Sequence, residues 1–152
     1  MPSTYTISTG QFRGPDGSLV GLCYAGQPPW VNNPTAVTFK NLGPLPPGFY
    51  KMGPPEDHPT TVGPLALPLT PLPDADGKFD WLHDRSSFFI HGDSIARPGF
   101  ASDGCIIPTH LPDGEVNGRA VRLAIIALRT HDDILQVIAT PPVPPTAPVV
   151  TG

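Results

Sequence analysis

Two residues of this sequence have the chemistry of a nucleophile and its base, Cys105 and His91. A free thiol titrates near about 8.5, so little thiolate exists at neutral pH unless a neighbour takes the proton or holds the anion. An imidazole can do either. His91 closes the apolar, β-prone run Phe88-Phe89-Ile90, and Cys105 stands just ahead of a second run, Ile106-Ile107, after the small-residue turn Ala101-Ser102-Asp103-Gly104. If the two runs meet, thiol and imidazole meet. An imidazolium in contact would stabilise the thiolate, so Cys105 is expected to be more acidic than a free cysteine and to alkylate quickly at mildly acidic pH. Gly104 permits a sharp turn and, with Ser102 and Asp103, is expected to leave amide N–H groups beside the thiol uncovered, where they can cradle an oxyanion. His91 also needs an acceptor for its second N–H. A backbone carbonyl of the Gly92-Asp93-Ser94 turn is preferred over the Asp93 carboxylate, which at an exposed turn shapes the loop. The competing reading is structural: Cys105 as a core residue beside two isoleucines, His91 as a satisfied turn residue.

The string Arg85-Ser86-Ser87-Phe88-Phe89-Ile90-His91-Gly92-Asp93, followed by Ala101-Ser102-Asp103-Gly104-Cys105-Ile106-Ile107, resembles the active-site signature of the L,D-transpeptidase-related proteins. It is most similar to the Tlde1-like branch, type VI secretion effectors that attack peptidoglycan. Asn32-Asn33-Pro34, Gly43-Pro44-Leu45-Pro46-Pro47-Gly48-Phe49-Tyr50 and Val62-Gly63-Pro64 carry the likeness upstream, over most of residues 4–139. Asp103 stands where the YkuD-type transpeptidases have a second histidine. The resemblance implies a loop-rich, mainly β fold with one short helix, of the YkuD-like sandwich or barrel kind. It implies no cofactor. As activity it implies attack of Cys105 on the third residue of a peptidoglycan stem peptide, usually meso-diaminopimelate, with loss of the terminal D-alanine. Water would resolve the thioester as an L,D-carboxypeptidase, and a D-amino acid or stem amine would resolve it as an L,D-transpeptidase. Arg85 or Arg97 would then bind a substrate carboxylate, against the plainer reading of a solvated surface charge. Secretion machinery and an immunity protein are the partners such an effector implies, and the periplasm of a target cell is its place of action. A non-catalytic wall-binding or phage or secretion-particle module on the same fold is the alternative, as is an unrelated Cys/His amidohydrolase.

The elements that must position this pair read as short strands. Thr4 to Gln11 alternates in β fashion, Gly14-Pro15-Asp16-Gly17 signals a turn, and Ser18 to Tyr24 is a second run, which together predict a hairpin. Residues 25–47 are too rich in proline and asparagine for a regular element beyond a short piece at Ala36 to Phe39, and read as a long ordered loop. Strands are predicted at Gly48 to Met52 and Ala66 to Thr70, with Pro68 placing the latter at an edge or bulge. Pro73 to Gly77 is a turn leading through Phe79 to Arg85 into the strand that ends at His91. Apolar spacings of three and four over Gly118 to Arg129 predict one helix, with Asn117 as its N-cap, and Ile134 to Ala139 alternates as a closing strand.

With 152 residues the chain has the length of one catalytic domain, expected over 1–139, and a proline-rich flexible tail, 140–152, whose repeated prolines offer no apolar face. Its 9 basic and 13 acidic residues give a net charge of −4, which argues against nucleic acid or an anionic membrane as partner. No run approaches a membrane span, and the Met1-Pro2-Ser3-Thr4-Tyr5 start shows no Sec-type signal, so synthesis in the cytoplasm and delivery by other means are expected. Asp74, Asp76 and Asp80 lack the pattern of a calcium loop, and His58, His83, His110 and His131 lack zinc-ligand spacing, so no metal is expected. Cys23, inside an apolar run, reads as a free, partly buried structural thiol.

Overall fold

Short segments that alternate between core-facing and outward side chains dictate a sheet here. The computed structural model describes residues 1–109 and 118–142, and among these nine strands form one sheet. The first three, β1 (Ser3–Thr6), β2 (Gln11–Arg13) and β3 (Leu19–Tyr24), make an antiparallel meander. Thr4 to Gln11 therefore does not run through as one strand. Gly10 N–H donates to the Thr6 carbonyl at 2.8 Å, and Gly10 holds φ +72° so close to β3 that a Cβ there would lie 2.3 Å from the Cys23 carbonyl oxygen. A residue without a side chain bends the run at that point and yields two hairpins instead of one.

Next in the chain come β4 (Gly48–Met52), β5 (Glu56–His58), β6 (Gly63–Pro71), β7 (Phe88–Ile90), β8 (Ile107–Pro108), the helix α1 (Arg119–Arg129) and β9 (Ile134–Ile138). In the sheet the order is β5-β6-β4-β9-β1-β2-β3-β8, with β7 added on β6, and the whole curls into a half-barrel. Among the described residues the fold is mainly β with one α-helix. The last strand, β9, does not close an edge: it lies in the middle, antiparallel to β4 and parallel to β1. Its inward residues Leu135 and Val137 are buried beside Tyr5 and Tyr50, so its alternation pattern marks burial and says nothing of position in the sheet.

Pro68 likewise sits inside the sheet, facing Phe89 of β7 on one side while its carbonyl accepts from Gly53 N–H at 2.8 Å on the other. A residue's N–H and C=O point to the same edge of a strand, so the donor that proline lacks falls on the β4 side. There the facing residue, Gly53, lies just past the end of β4 at Met52, so the one reciprocal bond that proline cannot make falls at the end of the ladder and not within it.

Residues 25–47 form the ordered loop the composition predicts, with a 3₁₀ turn at Pro34–Ala36. Asn32, at φ +52°, ties it down: its Oδ1 accepts from Tyr5 Oη at 2.8 Å and from Ala25 N–H at 3.0 Å. Asn33 caps the 3₁₀ turn through the Thr35 N–H at 3.0 Å. The α1 helix is preceded by Gly118 at φ +60° with no side-chain cap. The expected Asn117 cap and residues 143–152 of the expected tail lie outside the described residues.

Candidate active site

Strand pairing brings Cys105 and His91 together. Ile90 and Ile106 form a parallel bridge, flanked by His91 N–H to the Ile106 carbonyl at 3.1 Å and Ile106 N–H to the Phe89 carbonyl at 3.0 Å. Paired residues point to one face and their neighbours to the other. Ile90 and Ile106, both fully buried, take the core face. Phe89, His91, Cys105 and Ile107 therefore share the opposite face, where His91 and Cys105 line one cleft of about 460 Å³.

Both side chains are nearly enclosed, with exposures of 6% for His91 and 9% for Cys105. The thiol donates toward the Ser87 carbonyl at 3.8 Å and accepts from the Phe89 N–H at 3.4 Å. Ser87 holds φ +65°, a left-handed conformation uncommon for a residue with a side chain, just where its carbonyl meets the sulfur. Burial pushes the Cys105 thiol up to about 11, opposed by the Phe89 N–H and Arg85 and reinforced by Asp103. His91 is pushed down from its ordinary value, first by burial and then by Arg122, against the Gly92 carbonyl, Asp93 and Asp103. Both shifts run against the expected thiolate–imidazolium pair and favour a neutral thiol and a neutral imidazole on the one cleft. Two charges in so dry a place cost more than their attraction returns.

The base-orienting contact is a carbonyl. His91 Nδ1 lies 2.9 Å from the Gly92 oxygen, and because a carbonyl only accepts, Nδ1 carries the proton and Nε2 is left with a lone pair. Asp93 shapes the loop instead. Its Oδ1 accepts from Tyr24 Oη at 2.5 Å and from the N–H groups of Ser94 at 2.8 Å and Gly99 at 3.2 Å.

One amide of the turn before Cys105, that of Gly104, is not left uncovered as expected. Ser102, fully buried, uses its hydroxyl in full: Oγ donates to the Cys105 carbonyl at 2.5 Å and accepts from Gly104 N–H at 3.1 Å and Gly26 N–H at 2.9 Å. The Gly104 amide is therefore not available to an oxyanion, and Ser102 is a turn-former. Gly104 has φ +138°, and a Cβ on it would fall 2.6 Å from Arg85 Nη2 and 2.9 Å from Phe88, so only glycine fits. The Asp103 side chain lines the cleft and accepts from Gln27 Nε2 at 3.1 Å.

Arg85 is neither a solvated charge nor a free substrate ligand. Only 4% exposed, it donates through Nη1 to the carbonyls of Val37 at 2.8 Å and Pro44 at 2.6 Å, and through Nη2 to those of Gly43 at 2.8 Å and Asp103 at 3.1 Å. All four terminal N–H donors are consumed, which leaves no fork for a carboxylate. Arg85 instead clamps the 37–44 loop to the nucleophile turn. Arg85→Met removes those donors while leaving the carbonyls buried, and is expected to cost about 3 kcal/mol or more, read as a fall in the denaturant midpoint. A midpoint equal to that of the unmutated chain would show that the clamp is dispensable. Arg97 is exposed, stacks 4.5 Å over Phe100 and does not line the cleft.

One buried cation escaped the sequence reading. Arg122, 4% exposed, lies on α1 with Nη1 donating to the Pro64 carbonyl at 2.8 Å. The signal was available: it stands three residues before buried Ile125 and four before Ile126, in the stripe that faces the core. Cys23 is free and more buried than expected, at 3% exposure, and burial pushes its thiol up.

The family model of the Tlde1 domain matches residues 21–121, a span that runs from within β3 through β8 and holds His91, Cys105 and the Arg85 clamp. No curated protein and no solved structure matches the chain.

Proposed function

The chain belongs to the Tlde1 domain family of effectors, and we propose that it acts as a cysteine-dependent L,D-carboxypeptidase or L,D-transpeptidase on peptidoglycan tetrapeptides, in the periplasm of a target cell. The observation that carries the reading is the buried Cys105 and His91 on one face of the Ile90–Ile106 pairing, open to a shared cleft. A neutral thiol attacks only as its proton leaves. The Nε2 lone pair of His91 takes that proton while Sγ bonds to the carbonyl carbon of the third residue, and Asp93 and Asp103 favour the imidazolium that forms. Collapse of the tetrahedral intermediate breaks the C–N bond, and Nε2–H returns the proton to the departing amine of D-alanine. Water or another amine then attacks the thioester, and Sγ leaves with a proton.

The test is mass spectrometry of purified tetrapeptide muropeptides incubated with the protein, with and without added isotope-labelled D-alanine. Tripeptide products support hydrolysis, and label in the tetrapeptide supports exchange. Unchanged muropeptides in both arms would overturn the reading. No helix among the described residues is long and apolar enough to cross a membrane.

A further inference from the structure

His91 borders a second cavity besides the cleft it shares with Cys105. This one, about 540 Å³, is walled by Pro64, Gly92, Ser94, Ile95 and Arg122 together with His91. Arg122 is its buried cation. Its Nη1 is held by the Pro64 carbonyl, its Nε is buried with no hydrogen-bond partner, and its Nη2 has none among the described residues. The guanidinium lies against Gly92, the residue after the base: a Cβ on Gly92 would fall 3.1 Å from both Cζ and Nη2. A charged donor left unpaired in a protein interior is costly, and Arg122 lines the cavity that His91 borders. The one carboxylate on that wall, Asp93, is already committed to Tyr24, Ser94 and Gly99.

We propose that Arg122 is the subsite for the free carboxylate of the residue that the reaction expels. The proposal rests on the acyl-transfer reading above. A substrate whose scissile carbonyl lies at Cys105 places its leaving nitrogen at His91, which lines both cavities together with Thr61, Val62 and Ala101, and whatever follows that nitrogen enters the second one. For a chain cut at its last peptide bond, one residue ending in a carboxylate follows. That carboxylate accepts from Nη2 and supplies a partner for the Nε side of the fork, the side-on geometry in which arginine holds carboxylates best. It also sets a negative charge beside Arg122, which otherwise opposes the charging of His91. The enzyme therefore selects free C-termini, and expelled D-alanine leaves as a zwitterion bound through its carboxylate.

Calorimetry on Cys105→Ala protein, which cannot consume the ligand, tests this with the stem tetrapeptide ending in D-alanine and with the same tetrapeptide carrying a C-terminal carboxamide. The two differ only at the carboxylate in question. The acid is expected to bind at least about tenfold tighter, as one charge-assisted pair provides. Adding Arg122→Gln should collapse that ratio toward one, and Arg122→Lys should retain part of it. Should Arg122→Gln fail to fold, the acid-to-amide ratio on protein with Arg122 intact still decides. Equal affinities, or a preference that survives Arg122→Gln, would overturn the subsite. Parallel turnover assays on unmutated protein separate the two ideas: products with equal affinities sink the subsite alone, and an Arg122-dependent preference without products sinks acyl transfer alone.

Discussion

Cys105→Ala is expected to lower muropeptide turnover by at least about 10³-fold while leaving the melting temperature within a few degrees of that of the unmutated protein. No other described group on the cleft wall can form the thioester: the second thiol, Cys23, is buried in the main core with Tyr5 and Ile7. The stability cost is small because the side chain loses one weak donor and one weak acceptor, at Ser87 and Phe89, and no packed methyl groups. Cys23→Ala is the matching control. That thiol fills the core and should cost about 1 kcal/mol in stability with turnover unchanged. If Cys105→Ala still released tripeptide at the unmutated rate, the nucleophile would lie elsewhere, and a binding module on this fold would become the better account.

The second large effect is at His91. With the Nδ1 proton held by the Gly92 carbonyl, His91→Gln removes the Nε2 lone pair that the proposed mechanism uses as its base and should lower turnover by about 10²–10⁴-fold. Its pH dependence follows from the signs of the two shifts. His91 is depressed below its ordinary value, so its neutral, active form is already present at pH 7 and is lost only on acidification through that depressed value. The acid limb of the rate profile should therefore lie below about 6.5. Cys105 is raised to about 11, so labelling by iodoacetamide, which needs thiolate, should be slow at pH 6 and climb only in strongly alkaline solution. Labelling profiles of unmutated protein and His91→Gln should nearly coincide, since burial disfavours both the thiolate and the imidazolium, whereas their turnover should differ greatly. Fast labelling at pH 6 that His91→Gln abolishes would establish a resting ion pair and overturn the general-base account.

The two kinds of information separate at particular residues. Local pattern sufficed for what depends on neighbours along the chain. The apolar run into His91, the aromatic strand at Gly48–Met52, the apolar spacing of α1 and the alternation of β9 each bury a face at once, and a carbonyl one residue on was the nearest acceptor for the His91 ring. The meeting of the two short β-prone runs, which sets Cys105 and His91 on one cleft, was legible for the same reason, since they lie close in sequence. What the chain does at long range was not legible. Arg85 reads like any surface arginine until the carbonyls of Val37, Gly43 and Pro44, more than forty residues upstream, are wrapped around it. Ser102 reads as a small turn residue until the Gly26 N–H arrives from across the fold and its hydroxyl is fully engaged. Whether Cys105 and His91 rest charged or neutral depends on how much water the packed loops exclude, and Arg122 becomes a cavity wall only because α1 docks beside Pro64 and Gly92. Desolvation is a property of the assembled fold, so protonation state and the availability of a donor are decided there and not by residue type.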